Sequence, residues 1–443
     1  MQRLLFDNFK PIYTMKKIFT LTMVLAVAAL APSCIESSVA PVVNTPVTEN
    51  VVVTGTIGQN TTWTADRIYE LANKVVVAEG VTLTIEAGTI IKGRAGSGSL
   101  ATALIVARGG KIMAEGTAGK PIIFTSVEDN IKIGELRGTN LTQDDKDKWG
   151  GVIILGKAPV SAENGDTESQ IEGIPAEESY GLYGGSDAND NSGVLRYVSI
   201  RHGGAEIGAG NEINGLTLGG VGAGTVIEDI EIFATLDDGV ELFGGTVNVT
   251  NLVVSYQGDD GIDIDQNYAG TVANFVVMHG GSGTDEGLEI DGPEGTTHTT
   301  GLFTLKNGLV TSLGGVDGGT PADLKSKAQG TLDNVVFANY AAGDDLVKIR
   351  ASYTNDCADV KDDAWLHFTD PNSAVPLQLV NSGFSGIKVY TKSVAADGTT
   401  TCGLHANAQA DAEAVVASSA NATGATLAPF ANWTVASASG LLN

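Results

Sequence analysis

Short runs in which apolar and polar residues alternate recur along this chain at a nearly fixed distance. One set reads glycine, apolar, polar, apolar. It occurs as Gly215-Leu216-Thr217-Leu218, Gly239-Val240-Glu241-Leu242, Gly261-Ile262-Asp263-Ile264 and Gly287-Leu288-Glu289-Ile290, at steps of 24, 22 and 26 residues. A second set interleaves with it: Asp229-Ile230-Glu231-Ile232, Asn251-Leu252-Val253-Val254, Asn274-Phe275-Val276-Val277 and Asn334-Val335-Val336-Phe337. Alternation puts the apolar residues of each run on one side of an extended strand. No run is long enough to bury that side alone, and Gly and Asx residues punctuate the gaps. A period in the low twenties is therefore one turn of a coil that holds two or three strands. Stacked coils pair each strand with its equivalents above and below, so the inward Val, Ile and Leu side chains form one continuous core. The recurring Asx before the second run predicts a ladder of side-chain amides in a turn. An antiparallel sandwich also uses short strands, but it does not predict near-identical quartets at near-constant spacing.

The pattern extends upstream through Val75-Val76-Val77, Thr82-Leu83-Thr84-Ile85, Ala103-Leu104-Ile105-Val106, Pro121-Ile122-Ile123-Phe124, Val152-Ile153-Ile154-Leu155 and Tyr197-Val198-Ser199-Ile200. Two acidic stretches interrupt it, residues 128–149 and 162–192, and both read as loops thrown out from one edge. The expected architecture is all-β: a parallel β-helix over residues 51–345, followed by irregular C-terminal coils and a cap over 346–443. Residues 406–419 are Ala-rich and read as a helix. The final apolar residues from Phe430 to Leu442 are expected to close the open end, because an uncovered last coil exposes strand edges and core.

The N-terminal segment changes the cellular picture. Met15-Lys16-Lys17 is a positive start, and Ile18 to Leu30 is an apolar run too short for a comfortable membrane span. It ends at Ala31-Pro32-Ser33-Cys34, which resembles a bacterial lipoprotein signal with Cys34 as the lipidated residue, although Ala31 stands where Leu is usual. Residues 1–14 read as an upstream extension, and residues 35–50 as a flexible tether. These features predict an exported outer-membrane or cell-surface protein of a Gram-negative bacterium, a monomer whose only membrane contact is a lipid anchor. Cys357 and Cys402, the two remaining cysteines, lack metal-ligand spacing and read as a disulfide of an exported protein. The net charge of −26 argues against a nucleic-acid partner, and 42% hydrophobic content argues against a disordered acidic chain.

Val81-Thr82-Leu83-Thr84-Ile85-Glu86-Ala87-Gly88-Thr89 and Pro121-Ile122-Ile123-Phe124-Thr125-Ser126 resemble the opening coils of Bacteroidetes exported β-helix proteins. Tyr183-Gly184-Gly185, Gly258-Asp259-Asp260-Gly261-Ile262-Asp263 and Asn432-Trp433-Thr434 are similar to later segments of that group. The resemblance implies a right-handed, pectate-lyase-like β-helix and no established activity.

The repeat also copies a carboxylate. Thr217, Glu241, Asp263 and Glu289 are the outward middle residues of successive quartets, with Asp265 and Asp291 one outward position further on. The preceding turns add Asp237-Asp238, Asp259-Asp260 and Asp285-Glu286. Strands about 4.8 Å apart place these like charges against one another, which destabilises a sheet unless something compensates. Three readings follow. The stripe is a solvated face. Or Asp238, Glu241, Asp260, Asp263, Asp265, Glu289 and Asp291 hold Ca²⁺, a cation that takes clustered oxygen ligands, and present a face to an acidic polysaccharide or another surface protein. Or the chain cleaves acidic glycans. In that case the resemblance to polygalacturonases carries catalytic roles to Asp237, Asp259 and Asp260, with His279 nearby and Lys348 or Arg350 as distant basic partners. The departures are plain: Leu236-Asp237-Asp238 stands where an Asn-Thr-Asp is expected, and no Arg lies between Arg201 and Arg350 to serve as a lyase base. Non-enzymatic binding is the favoured expectation.

Overall fold

The glycine-led quartets become the strands Leu216–Gly219, Val240–Phe243, Ile262–Asp265 and Leu288–Ile290, and each pairs in parallel with the next. The computed structural model describes residues 50–208, 211–280, 283–314 and 319–442. Cys34 and nearly all of the expected tether lie outside them. Within them no helix is long and apolar enough to cross a membrane.

Each coil contributes strands to three parallel sheets. The second sequence pattern builds long bent strands such as Val226–Phe233, Asn248–Ser255 and Thr271–His279. Their first halves stack as sheet one and their second halves as sheet two, with the register skipping the Asx at the bend. The quartets stack as sheet three, which runs from Ala103–Val106 through Val152–Leu155 and on to Gly386–Tyr390. The result is the expected right-handed parallel β-helix. Its interior is one cluster that extends from Trp63 and Leu71 to Ile387 and Val389.

The bend is where the amide ladder forms. Asp229, Asn251, Asn274 and Asn334 all adopt left-handed φ of 56–57°. Asn251 Nδ2 donates to Asp229 Oδ1 at 2.9 Å and Asn274 Nδ2 donates to Asn251 Oδ1 at 2.7 Å. Asn suits the position because it tolerates the left-handed region and its side chain satisfies the neighbouring coil. Asn251→Ala is expected to cost roughly 2 kcal/mol, from left-handed strain of about 1–2 kcal/mol and the lost ladder bonds. Asn251→Gly should recover about 1 kcal/mol of that. Urea midpoints check this, and equal losses for Ala and Gly would remove strain from the explanation.

The C-terminal region corrects one expectation. The end of the solenoid is covered by α1 (Ala364–Thr369) and α2 (Ala408–Val415), whose Ala364, Phe368, Ala408 and Ala412 join the main core. Cys357 and Cys402 are disulfide-bonded in this region. The last residues do not close that end. They run back along the outside of sheet two, where Phe430, Trp433 and Ala436 pack on Val253, Val276 and Met278. The physical reason lies in the second sequence pattern: Val253 and Val276 sit at outward positions, so this face is apolar and requires a cover. The strap is fastened to the ladder by Thr426 N–H donating to Asn274 Oδ1 and Thr423 N–H donating to Asn334 Oδ1, both at 2.7 Å.

Candidate acidic site on sheet three

Register fixes what stands in line on the outer face of sheet three. Ile153, Thr217, Glu241, Asp263, Glu289, Asp323, Lys348 and Lys388 occupy one ladder. The ladder is apolar at one end, acidic in the middle and basic at the other. Residues 160–184 fold over the apolar end, pairing Glu168–Gln170 with Leu182–Gly184 and packing Ile171, Ile174 and Tyr183 against Ile105, Ile153 and Phe243. Of the three readings of the stripe, the solvated face fails at its centre: Glu241 and Asp263 are only 5% and 8% exposed.

The acids of the turns have structural work. Asp238 Oδ1 accepts the Asp260 N–H at 2.9 Å, and Asp260 Oδ1 accepts the Glu286 N–H at 2.6 Å. Glu286 in turn accepts from Lys348 Nζ at 2.8 Å and Thr320 Oγ1 at 3.2 Å. Lys325 bridges Glu289 and Asp291, and Asp323 is held by Arg350 and Tyr390. The lower half of the stripe is therefore neutralised by the chain's own bases.

The upper half is not. Asp238, Glu241 and Asp263 are all buried, and ligand oxygens from the three lie within 4.8 Å of one another. Asn214 Nδ2 donates to Glu241, but Asp263 Oδ1 and Asn214 Oδ1 are buried without a hydrogen-bond partner. Burial, then repulsion from neighbouring carboxylates (Asp260 on Asp238, Asp263 on Glu241 and Asp265 on Asp263), pushes the carboxyls of Asp238, Glu241 and Asp263 well above the ordinary range. Asp237, Asp238 and Asp259 form a second group within the same 4.8 Å limit, and it opens outward, with Asp237 half-buried and Asp259 exposed. Burial and then Asp259 raise Asp237 to about 7. Around these groups, burial likewise lifts Glu172 to about 6, Glu294 to about 7 and Asp291 to about 8. Burial also raises Asp265, opposed by Lys325.

Not every candidate joins the group. His279 is fully buried, its Nδ1 3.1 Å from the Tyr340 hydroxyl and its ring edge-on to the Tyr340 ring. Burial lowers its pKa to about 4, so it is neutral and has no route to a substrate at the outer cluster. Glu172 and Glu294 belong to the site but carry no periodic signal, since both come from irregular excursions. Asn214 stands directly before its quartet, where Asp238, Asp260 and Glu286 stand before theirs, and a search for repeated acids passes over it because it is an amide.

Residues 55–436 match the profile of the pectate-lyase-like beta helix domain. No curated protein sequence matches the chain. A solved structure, the pectin methylesterase from Aspergillus niger, is similar over 83% of this chain and 96% of that one, at 12% identity and a TM-score of 0.24.

Proposed function

This chain belongs to the pectate-lyase-like β-helix domain family, and from that premise we propose that it is an exported, lipid-anchored surface solenoid that binds acidic polysaccharide through Ca²⁺ and does not cleave it. The observation that carries this reading is the buried trio Asp238, Glu241 and Asp263 with the orphaned Asp263 Oδ1. Three desolvated carboxylates and an unpartnered amide oxygen are the hard oxygen donors Ca²⁺ takes, in sets of roughly 6–8. The outer group Asp237, Asp238 and Asp259 shares Asp238 with the trio and faces solvent. A cation seated there has coordination positions left for water or for a uronate carboxylate from outside. What supports the outer-membrane location is the lipoprotein-like signal that ends at Cys34 and the Ser-, Thr- and Val-rich residues 35–50 after it.

The hydrolase alternative draws on Asp237, whose pKa of about 7 suits a general acid. The sequence around it counts against a polygalacturonase-type site, since Leu236-Asp237-Asp238 stands where an Asn-Thr-Asp is expected.

Polygalacturonate pull-down with and without Ca²⁺ tests the proposal. Retention is expected only with Ca²⁺, to fall at least about tenfold in Asp259→Asn, and to occur without release of reducing ends or unsaturated products. Retention unchanged by chelator overturns the calcium bridge. Turnover of any uronic-acid polymer that disappears in Asp259→Asn and Asp260→Asn establishes the enzyme instead.

A further inference from the structure

The outer face of sheet two is covered from both ends. Residues 128–148 cover Ile90 and Ile123 at one end, with Ile131 as the contact, and the C-terminal strap covers Val253 and Val276 at the other. Where the two covers meet, the outward ladder turns polar, with Ser199 registered to Glu231 and Arg201 to Phe233. A cavity of about 380 Å³ lies at this seam, lined by Arg137, Leu141, Arg201, His202, Phe233 and Ser439 among others. That volume falls within the range of small-molecule sites, roughly 300–1,000 Å³.

Arg201 is the unusual group. It is 1% exposed, in a chain whose charge is overwhelmingly negative. Its Nε donates to Ser199 Oγ at 2.7 Å and its Nη1 to the Leu136 carbonyl at 2.8 Å, which fixes the plane of the guanidinium. Its Nη2 is buried and has no hydrogen-bond partner; the nearest acid oxygen, Glu231 Oε2, is 3.6 Å away. The neighbouring acids have other commitments. Glu231 accepts from Ser199 Oγ at 2.6 Å and from the Ala436 N–H at 3.0 Å. Asp129 accepts from Thr125 Oγ1 and the Ile131 N–H, both at 2.9 Å. Arg137 reaches the same cavity from the 128–148 cover, its Nη1 donating to Ser439 Oγ at 3.0 Å, and its positive charge acts against that of Arg201. His202 Nδ1 lies 2.7 Å from the Asp145 carbonyl, a pure acceptor, so Nδ1 carries the proton and Nε2 is left as an acceptor.

We propose that this seam binds a small hydroxy-carboxylate, for which free uronates serve as the probes. The carboxylate lies between Arg201 Nη2 and Arg137, where it satisfies the orphaned donor and relieves the repulsion of the two cations. A hydroxyl donates to His202 Nε2, and the carbon skeleton lies against Phe233, Leu141 and Val435. This site is separate from sheet three and does not depend on Ca²⁺. Titration calorimetry of the full chain in chelator, with glucuronate and galacturonate against glucose and galactose, tests it. Saturable binding of at least one uronate is expected, with none of the neutral sugars. Arg137→Met, a change in an exposed arm that leaves Arg201 in place, should weaken uronate binding at least about tenfold, while Asp263→Asn leaves it unchanged. Absence of uronate binding, equal binding of neutral hexoses, or full affinity in a folded Arg137→Met variant each overturns the assignment. Loss of binding in Asp263→Asn does the same, by placing the ligand on sheet three.

Discussion

In chelator the thermal midpoint of this protein should fall steadily as pH rises from about 5 to about 8, and Ca²⁺ should restore it most strongly at the alkaline end. In the folded chain Asp237 is raised from 3.8 to about 7, Glu294 from 4.5 to about 7 and Asp291 from 3.8 to about 8. Asp238, Glu241 and Asp263 are also raised well above their ordinary values, by burial and by neighbouring carboxylates. Between the unfolded values near 4 and these folded values, the folded chain holds protons that the unfolded chain releases. Raising the pH therefore favours unfolding, with a slope of up to ~1.4 kcal/mol per pH unit for each such carboxylate. Ca²⁺ binds the ionised form, so its affinity grows as the protons leave, and at a hundredfold excess over its dissociation constant it adds about 2.7 kcal/mol. Asp263→Asn removes one of the repelling charges. It should raise the midpoint in chelator at pH 8 and abolish the response to Ca²⁺. A midpoint in chelator that is flat across this range, together with no Ca²⁺ effect, would sink the reading of the trio as an uncompensated cation seat.

This behaviour depends on burial, which is the part of the site that the sequence hides. The carboxylate ladder itself is legible, because Glu241, Asp263 and Glu289 repeat at the coil period and register must align them. What separates their fates is not periodic. Glu289 meets Lys325, while Glu241 and Asp263 are buried next to the apolar end that residues 160–184 cover. That excursion docks through Ile171, Ile174 and Tyr183, three apolar residues scattered in a segment that otherwise reads as an acidic loop. The same holds on sheet two. Val253 and Val276 break the inward-apolar, outward-polar alternation, and that irregularity is the trace of the strap. It says that something covers the face without saying that the chain's own last residues do so. His279 ends its strand and looks available in the sequence, yet Tyr340 from a later coil packs against it.

The largest mutational effect is expected where the repeat is most regular. Gly215, Gly239, Gly261 and Gly287 each open a strand of sheet three, and none of them is among the residues with left-handed φ, so conformational freedom is not why they are glycines. Space is. A methyl added at Gly261 would meet Val277 Cγ1 at 2.3 Å and the Gly287 carbonyl oxygen at 2.6 Å. The same collision recurs at Gly215 with Ile232, at Gly239 with Val254 and at Gly287 with Val310, each time with the backbone of the next coil on the other side. The strand of sheet three must pass close enough to bond to the coil below while the β-branched residue of sheet two fills the corner. Gly261→Ala should cost about 3 kcal/mol, at the upper end of what overpacking a core entails. Gly119, whose added methyl meets nothing within 4 Å, is the control and should lose less than about 0.5 kcal/mol. Adding Val277→Ala to Gly261→Ala makes the test sharper. It removes the side-chain collision but not the one with the Gly287 carbonyl, so the pair should show a favourable coupling of roughly 1 kcal/mol rather than full rescue. Simple additivity in urea denaturation would mean that Val277 is not what confines the corner, and complete rescue would mean that the close approach of successive backbones is not.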